Sequence, residues 1–187
     1  MPVPVANSDE AWAQQAKTDG QAFAELVHRY ADRIFNLAYR MTGDRMEAED
    51  LAQETFLRAY HGLPRYNAER PFGAWLYRIA VNVCLTQRRR QQVHVEPLPP
   101  DQADALLDHV ADTATIAEQR ETQAAVQQAI LSLPPMYRVV IILYHIEGRS
   151  YNEIAALLDL PLNTVRTHLH RGRALLRERI TRRERRV

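Results

Sequence analysis

The chain of 187 residues predicts an all-α protein, two helical domains joined by an acidic flexible linker. Three observations carry that reading. Apolar residues recur at helical spacing in long stretches on both sides of the middle of the chain. Glycine and proline fall between those stretches, and no segment shows the alternation of a strand. Residues 91–122 interrupt the pattern: Pro97, Pro99 and Pro100 sit among seven acids and one arginine, a local charge of −6. The expected division is an N-terminal tail with a short helix at 1–19, a first domain at 20–90, an acidic proline-containing linker at 91–121 and a second domain at 122–183.

In chain order, residues 1–8 read as disordered, and Ser8 to Lys17 as a short helix that Gly20 interrupts. Ala22 to Met41 is a long amphipathic helix with Leu26, Tyr30, Ile34 and Leu37 inward. Thr42-Gly43 ends it, and Asp44 with Glu47 starts the next on the capping-box plan. That helix, about Met46 to His61, buries Ala48, Leu51, Ala52, Phe56, Ala59 and Tyr60, and turns Glu49, Asp50, Gln53, Glu54 and Arg58 outward. Residues 44–54 carry five acids and one arginine, a charge of −4. Gly62-Leu63-Pro64 and a mobile polar loop, Arg65 to Arg70, lead to Pro71, well placed to open a helix. Phe72 to about Arg90 then buries Phe72, Trp75, Leu76, Ile79 and Val83, and shows Tyr77, Arg78, Asn82 and Arg88 to Arg90. Rings, amides and arginines on one face beside a polar loop fit single-stranded nucleic acid; a core helix whose tryptophan packs is the alternative. Beyond the linker, which has room for a brief helix around Ala103–Val110, helical pattern resumes at Thr122. Pro134-Pro135 breaks it, and Met136 to Ile146 is an apolar floor.

Arg149 to Arg179 reads as a helix-turn-helix. Ser150 and Glu153 form a capping box, and Ile154, Ala155, Leu157 and Leu158 make a buried stripe. Leu160, preceding Pro161, is pushed from the helical region, and Asn163 caps a second helix whose stripe is Val165, Leu169, Leu176 and Ile180. Its exposed side carries Asn163, Thr164, Arg166, Thr167, His170, Arg171 and Arg173, none acidic. From Pro161 to Val187 nine arginines face two glutamates, a local charge of +7. Such a helix suits phosphate positioning and base-edge readout in a major groove, against the plainer reading of a solvated basic face.

Composition closes other routes. A net charge of +1 hides the segregation just described, and 23 of 24 basic residues are arginine. The single cysteine, Cys84, excludes a disulfide framework and reads as a small, partly buried residue. Seven scattered histidines give no metal spacing and no nucleophile–base pair, so neither metal nor cofactor is expected and an enzyme is disfavoured. No apolar run approaches a membrane span and residues 1–8 do not form a signal peptide, so the expected location is cytoplasmic.

Three ordered stretches, Ala48–Tyr60 (AEDLAQETFLRAY), Phe72–Asn82 (FGAWLYRIAVN) and Leu131–Arg171, resemble the extracytoplasmic-function sigma factors of bacterial RNA polymerase. The resemblance spans about residues 20–90 and 120–180, a domain-2 half and a domain-4 half. It implies that Asp50, Gln53 and Glu54 dock on the clamp helices of the polymerase's largest subunit. It implies that the loop Tyr66–Arg70, with Tyr66, Asn67 and Arg70, captures a flipped base of the −10 element, and that Trp75, Tyr77, Arg78 and Asn82 serve −10 recognition and strand opening. The helix Asn163–Arg173 would read the −35 element, with domain 4 also meeting the polymerase flap. An anti-sigma protein is the implied regulator. Thr86 and Gln87 stand where relatives commonly have an acid, and His170 where another side chain often lies, so promoter preference does not transfer. The rival is a stand-alone helix-turn-helix regulator, which leaves Asp50, Gln53, Glu54 and the Trp75 helix without a role.

Overall fold

A computed structural model describes residues 8–94 and 114–184, with side chains at 8–90 and 123–181. The described residues hold eight α-helices and one 3₁₀ turn, and no strand. Local chemistry sets most boundaries. Ser8 caps α1 (Asp9–Gln15), its hydroxyl accepting the Ala11 amide. Asp19 caps α2 (Gly20–Thr42), which ends on Gly43 in the left-handed region at φ 80°. Asp44 accepts the Glu47 amide at 2.8 Å and opens α3 (Arg45–Gly62). A 3₁₀ turn (Leu63–Arg65) and the loop 66–71 lead into α4 (Phe72–His94).

The N-terminal half packs α2, α3 and α4 around Leu26, Ile34, Leu37, Leu51, Phe72 and Leu76. Residues 9–15, read from the sequence as part of a tail, lie against α2 and α4 with Ala13 fully buried. Tyr60 was expected inside and is 47% exposed; its ring packs on Phe23 at the surface, centroids 5.1 Å apart.

The helices flanking the acidic segment are longer than apolar periodicity suggests. Helix α4 runs to His94, and α5 (Ala114–Leu131) begins eight residues before Thr122. Ala, Gln, Glu and Arg in 114–121 sustain a helix by propensity without an apolar stripe. The three linker prolines and the helix expected around Ala103–Val110 lie outside the described residues.

In the C-terminal half, α6 (Pro135–His145) is the floor beneath α7 (Tyr151–Leu158) and α8 (Leu162–Glu184). The Ser150–Glu153 capping box forms in both directions. Asp159 makes the turn, adopting φ 57° as the α7 C-cap, and Leu160 donates its amide to the Ala155 carbonyl. Asn163 does not cap: α8 already begins at Leu162, and the Pro161 carbonyl accepts the Thr164 and Val165 amides. Val165 and Leu169 are buried as expected, while Leu176 is half-buried and Ile180 is 42% exposed. Helices α8 and α6 pack tightly at Gly172, where a Cβ would stand 2.9 Å from Ile141 Cγ1. Ile146, expected in the floor, lies past the end of α6 and is 38% exposed.

The two halves share a seam. The buried Arg138 guanidinium donates to the carbonyls of Met41 in α2 and of Leu131 and Leu133. Leu131 packs against Gly43, and Gln127 donates to the Tyr39 carbonyl at 3.2 Å.

Candidate nucleic-acid interface

Helix α3 presents one acidic strip to solvent. Asp50 and Gln53 are exposed and Glu54 is half-exposed, while Thr55 on the opposite side is buried and bonds the Leu51 carbonyl. Glu54 pairs with Arg58 at 2.6 Å, an i,i+4 contact at the surface. Leu57, one turn beyond, is 56% exposed on the same strip and was assigned to neither face from the sequence.

The loop before α4 is held by its own bonds, where the sequence suggested mobility. The Tyr66 ring is buried against Trp75 and Phe72, at centroid distances of 4.9 and 5.6 Å. Its hydroxyl donates to the Arg70 carbonyl at 2.5 Å, and burial pushes its pKa up to about 12. Asn67 Oδ1 accepts the Glu69 amide at 2.9 Å, and the Arg70 amide returns to the Asn67 carbonyl at 3.1 Å. Asn67 and Arg70 stay exposed around this closed turn, whereas Trp75 is half-buried.

Helix α4 does not offer its whole expected face. Tyr77 is buried at 1% exposure because the C-terminal half covers it. Its hydroxyl donates to Glu147 at 2.5 Å, the Arg149 guanidinium lies 4.9 Å over its ring, and burial followed by the Glu147 bond raises its pKa. Arg78 pairs with Asp159 at 3.3 Å. Arg88 turns to the Met41 and Thr42 carbonyls, satisfying the end of α2. Asn82, Arg89 and Arg90 remain exposed. Glu147, Arg149 and Asp159 were not singled out in the sequence: a glutamate beside glycine in a turn carries no mark of its distant partner. Cys84 is buried, which pushes its thiol pKa up to about 12.

On α8 the structure brings together Asn163, Arg166, Thr167, His170 and Arg171 as one exposed strip at helical spacing. Thr164 is half-buried, and Thr167 bonds back to the Asn163 carbonyl at 2.9 Å. Arg173 leaves the strip: its Nε donates to His145 Nε2 at 3.0 Å and its guanidinium lies 4.9 Å over the Tyr144 ring. Val165 and Leu169 on the opposite side are buried in the core, so the strip faces outward on a single α-helix, an element that a major groove admits.

Two sequence families divide the chain. Sigma-70 region 2 matches residues 26–93, which hold the α3 strip, the loop and α4, and sigma-70 region 4 matches residues 123–176, which hold the helix-turn-helix. SigW of Bacillus subtilis, an ECF RNA polymerase sigma factor, is 38% identical over 174 residues, 89% of this chain and 93% of SigW. The chain belongs to the ECF RNA polymerase sigma factors. It is an alternative sigma factor, directing RNA polymerase in transcription initiation. The ECF sigma-E factor of Escherichia coli is 32% identical over 173 residues, 88% of this chain and 89% of that protein. Among solved structures, CnrH in complex with the cytosolic domain of CnrY superposes with a TM-score of 0.69 at 28% identity, over 92% of this sigma factor and 97% of CnrH. RpoE of Bartonella quintana shares the fold at a TM-score of 0.63 and 21% identity, over 85% of this chain and 96% of RpoE.

Proposed function

We propose that this sigma factor divides its work among the three surfaces described. Asp50, Gln53 and Glu54, with Leu57 as an apolar centre, dock on the clamp helices of the polymerase's largest subunit. Asn67, Arg70 and Asn82, with Trp75 behind them, take the −10 strand once it unpairs. Asn163, Arg166, Thr167, His170 and Arg171 read the −35 element as duplex. The observation that carries this reading is an exposed acidic strip on α3 and an exposed basic strip on α8 in one chain; a basic strip suits DNA, and an acidic one suits a protein surface and not a phosphate backbone. Strand opening then draws on binding energy, because an unstacked base fits contacts that a paired base cannot reach. Tyr77 and Arg78 join the −10 surface only after the seam parts, since Glu147, Arg149 and Asp159 hold them.

A protein inhibitor is part of the proposal, on the family resemblance and on the relative CnrH, which was solved with the cytosolic domain of CnrY bound. A cytoplasmic location follows from work on the polymerase, and no helix among the described residues is long and apolar enough to cross a membrane.

The deciding experiment is run-off transcription with core polymerase on a random promoter library, followed by permanganate footprinting of a recovered promoter. The Arg70→Ala Asn82→Ala double variant changes two exposed side chains outside the seam. It should bind duplex promoter as holoenzyme but form fewer open complexes, and recover on a template pre-melted at −10. Equal defects on duplex and bubble templates would remove the −10 assignment.

A further inference from the structure

Helix α1 and the turn after it, residues 16–18, lie outside the residues matched by the region 2 family, yet together they are tied to both ends of the loop before α4. At the start of the loop, Lys17 Nζ donates to the Tyr66 carbonyl at 3.1 Å. At its end, Glu10 Oε1 accepts the Phe72 amide at 3.1 Å, one of the orphan donors of the first turn of α4. Between these ties the loop is closed by Asn67, Glu69 and Arg70, and the Tyr66 hydroxyl holds the Arg70 carbonyl.

The other end of the lever is equally fixed. Asp9 accepts the Tyr30 hydroxyl at 2.6 Å and pairs with Arg29 at 3.0 Å. Ala13 and Ala16 are buried against the helical core. The contact of α4 with α2 leaves little room as well: a Cβ on Gly73 would stand 2.7 Å from the Tyr30 hydroxyl. Lys17 is also the only lysine in a chain with 23 arginines, and its compact ammonium sits on one carbonyl, a task that needs no planar fork.

From this arrangement we infer that α1 and the turn that follows it, residues 16–18, form a strut whose Glu10 and Lys17 position the loop 66–70 for the unpaired −10 strand. The inference rests on the reading of that loop as a −10 contact. Lys17 and Glu10 touch no DNA in this scheme; they are positioning residues. Both loop ends are fixed before DNA arrives, so less ordering entropy opposes capture of a base.

The test uses full-length protein assembled with core polymerase and a fluorescent single-stranded oligonucleotide carrying the −10 element of a promoter recovered from the library. Lys17→Ala should lower affinity for the oligonucleotide about tenfold, the scale of one charge-assisted hydrogen bond. Duplex promoter binding through α8 should not change. Lys17→Arg and Glu10→Gln keep a donor and an acceptor in place and should restore binding, whereas Glu10→Ala should behave like Lys17→Ala. Amide hydrogen exchange in the free protein should rise at residues 67–70 and at Phe72 in the alanine variants and stay unchanged in α3. Wild-type oligonucleotide affinity in both alanine variants overturns the strut. If Arg70→Ala Asn82→Ala also binds as wild type, the −10 reading of the loop falls with it. A defect in that double variant alone keeps the reading and removes only the strut.

Discussion

Single side chains settle what two of the burial patterns mean. Arg138 sits in the apolar run of α6, and its guanidinium serves the carbonyls of Met41, Leu131 and Leu133. Burial first, then the charge of Arg88, lowers its pKa to about 10, so it stays protonated at neutral pH. Arg138→Met keeps an unbranched apolar stem and removes the donors to the Leu131 and Leu133 carbonyls, while Arg88 still serves Met41; a loss of about 1–3 kcal/mol is expected in denaturant unfolding at pH 7. An unchanged midpoint would show that water replaces the guanidinium. A second residue sets a pH dependence. His145 Nε2 accepts from Arg173, which requires the neutral ring, and burial followed by the charge of Arg173 holds its pKa below the usual 6.5. The folded state therefore binds fewer protons than the unfolded chain just below pH 6.5, so stability is full above that value and falls as acid is added through it. His168 shifts the same way by burial and Arg171. Thermal melts at pH 7.5 and 5.5 should show the loss, and His145→Gln, which keeps an acceptor and cannot titrate, should lessen it. Neither effect was visible in the sequence, because one arginine among MYRVVIIL reads as the solvent side of an apolar helix.

Elements were far more legible, since caps and periodicity are local. Asp44 and Ser150, read as helix starts, each accept an amide there, and Gly43 ends α2 in the left-handed region; the Asp19 cap, which starts α2 at Gly20 where an interruption was read, and the left-handed Asp159 were not read. Legibility stops where the cause is distant or compositional: Asn163 looks like a cap but lies inside α8, and the first turns of α5 have helix formers without a stripe. The two best-formed surfaces can be tested as elements. Charge reversal at Asp50 and Glu54 alters only an exposed strip whose Glu54–Arg58 pair contributes little to folding. It should abolish binding to core polymerase while circular dichroism stays native; retained affinity would remove the docking assignment. On α8, Arg166→Ala and Arg171→Ala should each weaken promoter binding by about 1–3 kcal/mol where the arginine reads a base edge, with preference lost at one position. A phosphate contact would instead weaken all sequences alike and flatten the salt dependence. Unchanged binding in both variants would leave the strip as solvated surface.

At the scale of the molecule, the seam covers Tyr77 and holds Arg78, and sequence reasoning had no access to it because partners lie 70 and 81 residues apart. Its ties differ in worth. The Arg78–Asp159 pair is exposed on the Asp159 side and contributes little. The Tyr77–Glu147 bond is short, shielded by the Arg149 guanidinium, and joins a neutral donor to a carboxylate, a type worth about 1.5–3 kcal/mol. Tyr77→Phe removes that bond and leaves the ring in place beneath Arg149. The balance between closed and parted halves should then move toward the parted form by about tenfold or more. Small-angle scattering of the free protein should register a larger radius of gyration in Tyr77→Phe, and Glu147→Ala should reproduce it from the other side of the seam. Combining the two should add little, since both delete one bond. Free Tyr77→Phe protein should also bind single-stranded −10 oligonucleotide more tightly than wild type, because Arg78 and the uncovered α4 face become accessible. A radius of gyration equal to wild type in both single variants would place the strength of the seam elsewhere, in Arg138 and the Leu131–Gly43 contact.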